Sequence, residues 1–78
     1  MTKDEVKTII TQMVQSVAGD KYMTDVKFKK MGIDSLDRID LIYQVEKKFK
    51  IAIPDEVADK ITRECLLIEA VSKIMGFN

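Results

Sequence analysis

Apolar residues recur every three or four positions in three stretches of this 78-residue chain, which is the spacing of one face of an α-helix. The first stretch runs over residues 6–17, the second over 36–49 and the third over 67–75. Because polar residues interrupt each stretch, the pattern predicts amphipathic helices that bury one side against each other. The sequence therefore predicts an all-α bundle in a single domain that spans residues 1–78.

Local signals predict where the first helix begins and where the first and last helices end. Thr2 and Glu5 match a capping box, in which each side chain satisfies a backbone N–H at the start of a helix. Gly19 and Gly76 are typical residues just past the end of the first and the last helix. Residues 19–34 have no helical period, so we expect a long loop whose apolar residues pack beneath the helices.

The other helix boundaries follow from short polar signals. Asp34 and Ser35 are both favoured at a helix start, so the second helix should begin there. Pro54 cannot continue a helix, and we expect a short third helix near residues 55–60. Thr62 is expected to cap the last helix.

The second helix should bury one side and expose the other. The spacing predicts a buried side formed by Leu36, Ile39, Ile42, Val45 and Phe49. Its outer arc is expected to carry Asp37, Asp40, Leu41, Gln44, Lys47 and Lys48. Near the start of the last helix, Glu64 is expected to face solvent, because an unpaired buried carboxylate is costly.

Composition excludes several classes of function. Thirteen basic and 13 acidic residues cancel, so net charge predicts neither nucleic acid nor an anionic membrane as a partner. The chain has no histidine and only Cys65 as a thiol, which argues against a metal site, a catalytic residue and an internal disulfide. No stretch approaches the roughly 20 apolar residues that cross a bilayer, and we expect a cytoplasmic monomer.

Ser35 carries the most informative chemistry. At a helix start, free N–H groups and the helix dipole favour a bound anion. No histidine can take the proton of Ser35, which is therefore better suited as the substrate of another enzyme than as a nucleophile. From Asp34 and Ser35 alone, however, a helix cap with no further role is the commoner explanation.

Three segments in register resemble the acyl carrier protein family. Residues 32–41 resemble the family's phosphopantetheine attachment motif, residues 49–56 its loop into the third helix, and residues 59–62 its junction into the fourth. The resemblance implies a four-helix bundle of acyl-carrier type with three longer helices, one short third helix and a long first loop. It also implies a carrier that catalyses nothing itself.

The resemblance further implies a cofactor and partners. A phosphopantetheinyl transferase would attach phosphopantetheine from coenzyme A to Ser35, with Asp34 and Leu36 helping the transferase to recognise its target. The thiol of the arm would hold acyl groups for loading and processing enzymes of fatty-acid or polyketide-type synthesis. Those enzymes would dock on Leu36, Asp37, Asp40, Leu41, Glu46, Asp55, Glu56 and Asp59. The acyl chain would be sheltered among Ile39, Ile42, Val45, Ile53, Ile61 and Ile68.

The chain also departs from the family pattern. Typical members are strongly acidic, whereas this chain is neutral, and Arg38 with Lys47, Lys48 and Lys50 interrupts the acidic stretch. These residues favour a specialised carrier over the general carrier of fatty-acid synthesis. Two alternatives stay open: a D-alanyl or peptidyl carrier with a similar motif, and a helical interaction module with no prosthetic group.

Overall fold

The structure is a computed structural model that describes residues 1–77, and four α-helices lie within them. They are α1 (Lys3–Ala18), α2 (Ser35–Phe49), α3 (Asp55–Ala58) and α4 (Glu64–Met75). Two short 3₁₀ turns, Gly19–Lys21 and Phe28–Met31, interrupt the long connection between α1 and α2. The predicted all-α architecture, with three longer helices, a short third helix and a long first loop, is confirmed.

The ends of α1 follow from local chemistry. The Glu5 N–H donates to Thr2 Oγ1 over 3.2 Å, and the Thr2 N–H donates to Glu5 Oε1 over 2.9 Å. These two bonds form the predicted capping box and also lower the pKa of Glu5. Gly19, with φ at 58°, ends the helix as predicted, because its lack of a side chain permits a positive φ.

The core lies where α1, α2 and α4 meet, and the long connection contributes to it. Its buried apolar residues are Val6, Ile10, Val14, Phe28, Met31, Ile33, Leu41, Ile42, Val45, Phe49, Ile53, Ile61, Leu67 and Val71. The expectation that apolar residues of the connection pack beneath the helices is therefore confirmed. At the end of the α1 stripe, by contrast, Val17 is 44% exposed and lies outside the core.

The buried side of α2 differs from the predicted one. Leu41 is only 2% exposed, whereas Leu36 is 77% exposed and Ile39 is 59% exposed. The prediction placed Leu41 outside and the other two inside, and for these three residues it is wrong. Apolar residues occur on more than one side of α2, so a helical period fits several arcs, and packing against the rest of the bundle selects one.

Glu64 is 7% exposed, so the expectation that it faces solvent is wrong. The Tyr22 hydroxyl donates to Glu64 Oε1 over 2.8 Å, and Thr11 Oγ1 donates to Oε2 over 3.1 Å. A buried carboxylate is tolerated here because both of its oxygens accept hydrogen bonds. Burial and the bond to Glu64 together raise the pKa of Tyr22.

The residues just before α4 are hydrogen-bonded to the long connection between α1 and α2. Arg63, not Thr62, is the N-cap residue of α4, and no side chain caps the helix. The predicted Thr62 cap is therefore wrong. The Thr62 carbonyl instead accepts the Phe28 N–H over 2.8 Å, and Lys27 and Arg63 form a single antiparallel β-bridge beside this bond.

The length and polarity of the described helices bear on whether one of them could cross a membrane. None within residues 1–77 is long and apolar enough to cross a membrane. In the same part of the chain, no group of three or more His, Cys, Asp or Glu residues is arranged to hold a metal ion.

Candidate functional site

Ser35 is the first residue of α2, and its side chain is exposed. Asp34 is the N-cap residue, and its carboxylate accepts the Asp37 N–H over 2.9 Å. Gly32 lies just before, in the left-handed region with φ at 77°, a backbone conformation that favours glycine. The predicted helix start is confirmed, and these local preferences hold the Ser35 hydroxyl in solvent.

The start of α2 is electrostatically suited to an anion. The Asp37 N–H is satisfied by Asp34, but within the described residues the N–H groups of Ser35 and Leu36 donate to no protein atom. Free N–H groups at a helix start carry partial positive charge, and a negative group there is stabilised by about 0.3–1 kcal/mol. An anionic group on the Ser35 hydroxyl would lie at this favourable end of the helix.

A cleft of about 360 Å³ opens beside Ser35. It is lined by the long connection, the first turn of α2 and the approach to α4, through Lys27, Phe28, Lys29, Ile33, Asp34, Ser35, Arg38 and Thr62. Phe28 and Ile33 are buried and form an apolar floor. Lys27 and Lys29 are exposed. The cleft is not among the features predicted from the sequence, although the run of lysines around Phe28 is visible there.

Arg38 joins α2 to the segment after α3. Its Nη1 donates to the carbonyls of Ala58, Asp59 and Ile61 over 3.3, 3.4 and 3.2 Å. These are carbonyls at the end of α3 and just beyond it, which lack partners in the helix itself. This role of Arg38 is not predictable from the local sequence, where Arg38 only interrupts acidic residues, because its acceptors lie 20–23 residues away.

Most residues predicted to meet partner proteins are accessible, but two are not free. The exposed members of that set are Asp34, Leu36, Asp37, Asp40, Asp55, Glu56 and Asp59. Leu41 is buried in the core, so its predicted place on the outer arc is wrong. Glu46 is half-buried, and its Oε2 accepts the Ile53 N–H over 2.8 Å, which fixes the chain before α3.

The outer face of α2 carries exposed apolar side chains, namely Leu36, Ile39 and Tyr43. Asp37 and Asp40 lie along the amino-terminal half of this face. At the other half, Lys47 Nζ lies 5.5 Å from the centre of the Tyr43 ring, a cation–π contact. The face is therefore apolar along its length, acidic near Ser35 and basic at its far end.

The residues predicted to shelter an acyl chain are mostly brought together. Ile42, Val45, Ile53 and Ile61 are buried in one cluster, and the half-buried Ile68 packs against it. Ile39 is exposed and lies outside, so its predicted burial is wrong. One member of the set, Ile61, also lines a groove of about 460 Å³ between α3 and α4.

Cys65 is exposed at the start of α4. Hydrogen bonding to Asp25 and partial burial raise the pKa of the Cys65 thiol. Because the thiolate is the reactive form, this environment makes Cys65 less reactive than an ordinary cysteine.

Comparison with known proteins finds one family and several relatives. Residues 8–62 match the family described as phosphopantetheine attachment site. The chain is 33% identical over 75 residues to the acyl carrier protein of Akkermansia muciniphila, covering 95% of this chain and 92% of the relative. It is 46% identical over 68 residues to the acyl carrier protein of Chloroherpeton thalassium, covering 80% of this chain and 82% of the relative.

A mitochondrial acyl carrier protein is also similar. The protein from Dictyostelium discoideum is 44% identical over 59 residues, which cover 76% of this chain and 48% of the relative. The chain thus spans about half the length of that relative. No solved structure matches.

Proposed function

This chain belongs to the acyl carrier protein family, and on that premise we propose that it carries acyl groups as thioesters on a phosphopantetheine arm attached to Ser35. Proteins of the family are non-catalytic carriers, and phosphopantetheine is their covalent cofactor. The observation that carries the assignment to Ser35 is its exposed hydroxyl at the first position of α2, inside the matched range 8–62.

The residues around Ser35 fit a phosphate-linked arm. The hydroxyl is open to a modifying enzyme, and the free N–H groups of the first turn favour negative charge beside it. The Asp34 carboxylate accepts a main-chain N–H, and the chain has no histidine, so the modifying enzyme must supply the base that removes the serine proton. When bound, the arm supplies a terminal thiol that holds an acyl group as a thioester.

Recognition by a transferase is proposed to involve Asp34 and Leu36. Both are exposed and flank Ser35 directly, and Leu36 is the most exposed large apolar residue of the described chain at 77%. An apolar side chain in water next to the modified hydroxyl offers a contact that a partner can bury.

Partner docking is proposed on the outer face of α2 and the acidic residues beyond it. Asp37 and Asp40 on α2, with Asp55, Glu56 and Asp59 near α3, would attract basic partner surfaces. The basic end of the same face, around Lys47, would repel a partner that is basic throughout. This division of charge supports a specialised carrier whose partners present both signs of charge.

The acyl chain is proposed to enter the cluster formed by Ile42, Val45, Ile53, Ile61 and Ile68. The first four of these residues are already well packed, with 0–6% of each exposed, so a long chain must displace side chains on entry. The groove that reaches Ile61 between α3 and α4 provides a starting point for that displacement.

The cargo, the partners and the location of the protein are also proposed. The relatives are named acyl carrier proteins, which supports acyl cargo over D-alanyl or peptidyl cargo. Partners would be a phosphopantetheinyl transferase and acyl-loading and acyl-processing enzymes of fatty-acid or polyketide-type synthesis. A cytoplasmic location stays a prediction, as does one domain over residues 1–78, and the Dictyostelium relative is named mitochondrial.

Intact-mass measurement tests the assignment. After incubation with coenzyme A, Mg²⁺ and a transferase of broad specificity, the wild-type chain should gain the mass of one phosphopantetheine. Ser35→Ala should gain none, whereas Ser16→Ala, which removes another exposed serine from a helix, should load like wild type. An unmodified wild-type chain, or loading of Ser35→Ala, would contradict the proposal.

A further inference from the structure

The cleft beside Ser35 is positively charged although the chain as a whole is neutral. Lys27, Lys29 and Arg38 line it, against one carboxylate, that of Asp34. Asp34 is bonded to a main-chain N–H and Arg38 to three main-chain carbonyls, and neither kind of bond cancels a charge, so three cationic side chains face one carboxylate. The cleft therefore keeps a net attraction for an anion, next to a hydroxyl that is proposed to carry one.

The backbone fixes the two lysines beside the cleft. Phe28, which lies between them, is buried at 1% exposed, and its N–H donates to the Thr62 carbonyl over 2.8 Å. The Phe28 carbonyl accepts the Ile33 N–H over 3.0 Å, which closes the turn that leads back toward Ser35. The segment cannot swing away without losing a core side chain and these bonds, so both lysines stay within reach of the cleft.

We infer that Lys27 and Lys29 bind the phosphodiester of the arm and direct the arm into this cleft, along the apolar floor of Phe28 and Ile33. The inference rests on the proposed function, because the arm must begin at Ser35. An ester at Ser35 places its phosphate at the mouth of the cleft, where ammonium groups act as mobile point charges for it. Pantetheine has apolar methyl groups that suit the floor, and Thr62 also lines the cleft.

The site would hold the arm against the carrier between encounters with partners. Lys27 and Lys29 act here as positioning residues, since neither meets the thiol that carries the cargo. Because both ammonium groups are exposed, their attraction for the phosphate should weaken with salt, and a partner can compete for the arm.

Amide chemical shifts test the inference. In nitrogen-labelled protein, attachment of the arm should shift the amide signals of residues 27–29 and 62 as well as those beside Ser35. In the double variant Lys27→Gln/Lys29→Gln, the shift changes at residues 28 and 62 should fall at least twofold. The control Lys3→Gln/Lys7→Gln removes the same charge from exposed positions of α1 and should leave the changes as in wild type.

The outcomes separate this inference from the proposed function. A wild-type chain that gains no arm by intact mass overturns both. A loaded wild-type chain whose shift changes stay within residues 33–38, or a double variant with wild-type changes, overturns the inference alone. If the double variant loads poorly, the loaded wild-type chain provides the test. High salt should move the amide signals of its residues 27–29 back toward their unloaded positions. Signals that do not depend on salt would overturn the inference.

Discussion

The surroundings of Glu64 and the start of α2 each contain a carboxylate and a hydroxyl, but these groups are paired with each other only at Glu64. At Glu64 the carboxylate is buried, and its oxygens accept hydrogen bonds from Thr11 and Tyr22. At the start of α2, the Asp34 carboxylate bonds to the main chain and the Ser35 hydroxyl remains in solvent. The closed network joins helices and contributes to stability, whereas the open hydroxyl is left available for modification. The stabilising network and the proposed attachment residue are thus separated within a small bundle.

The largest effect that would sharpen this comparison is expected at Glu64. Glu64→Ala leaves the Thr11 and Tyr22 hydroxyls without their acceptor and should lower the free energy of unfolding by about 2–3 kcal/mol. Ser35→Ala should change it by less than about 0.5 kcal/mol. Urea unfolding followed by circular dichroism measures both, with the exposed Glu69→Ala on the same helix as control. Equal losses at Glu64 and Ser35 would break the comparison.

A second loss of stability is expected at Arg38, which bonds the first turn of α2 to the segment after α3. Arg38→Met keeps the length of the side chain but removes the donor to three carbonyls, and it should cost about 1.5 kcal/mol in urea unfolding. Lys48→Met removes a charge from an exposed position of α2 and should cost little. An Arg38→Met chain as stable as the Lys48→Met chain would show that these bonds contribute nothing.

Loss of the Asp34 N-cap beside Ser35 should lower the free energy of unfolding by a smaller amount. Asp34→Ala loses the acceptor for the Asp37 N–H and should lower the free energy of unfolding by about 1 kcal/mol. Asp34→Asn should restore most of this loss, because asparagine caps a helix about as well as aspartate. The measurement is the same unfolding curve, and an Asn variant as unstable as the Ala variant would assign the effect to charge instead of capping.

The smallest effect concerns pH and the closed region. The pKa of Tyr22 is raised above its ordinary value of 10.0, so the folded chain holds the phenol proton more tightly than the unfolded chain. This contribution to stability is complete below pH 10.0 and is lost as pH rises through the folded pKa. The free energy of unfolding should therefore fall more steeply above this pH in wild type than in Tyr22→Phe. Equal slopes would contradict the assignment.

The starts of α1 and α2 could be predicted from the sequence because their chemistry is local, whereas the start of α4 has no side-chain cap and was predicted wrongly. Thr2 and Asp34 each bond to an N–H three residues along the chain, so the spacing of residue types already contains the interaction. The start of α2 at Ser35 follows directly, and with it the exposure of the candidate attachment residue.

Features that depend on distant residues could not be predicted. The acceptors of Arg38 and the donors to Glu64 lie 20–53 residues away, and no local pattern records them. The buried side of α2 could not be predicted either. Leu41 and Ile39 each fit an apolar arc, and only the position of the neighbouring elements decides between them. The lysine-lined cleft also requires the long connection to meet the approach to α4.

Cys65 is the only cysteine of the chain, and hydrogen bonding to Asp25 keeps its sulfur protonated to higher pH than usual. Thioester exchange and disulfide exchange both need a thiolate as the attacking group. A carrier that holds its cargo as a thioester risks losing that cargo to any reactive sulfur of its own. The raised pKa of Cys65 therefore disfavours transfer of the proposed acyl group from the arm to this sulfur.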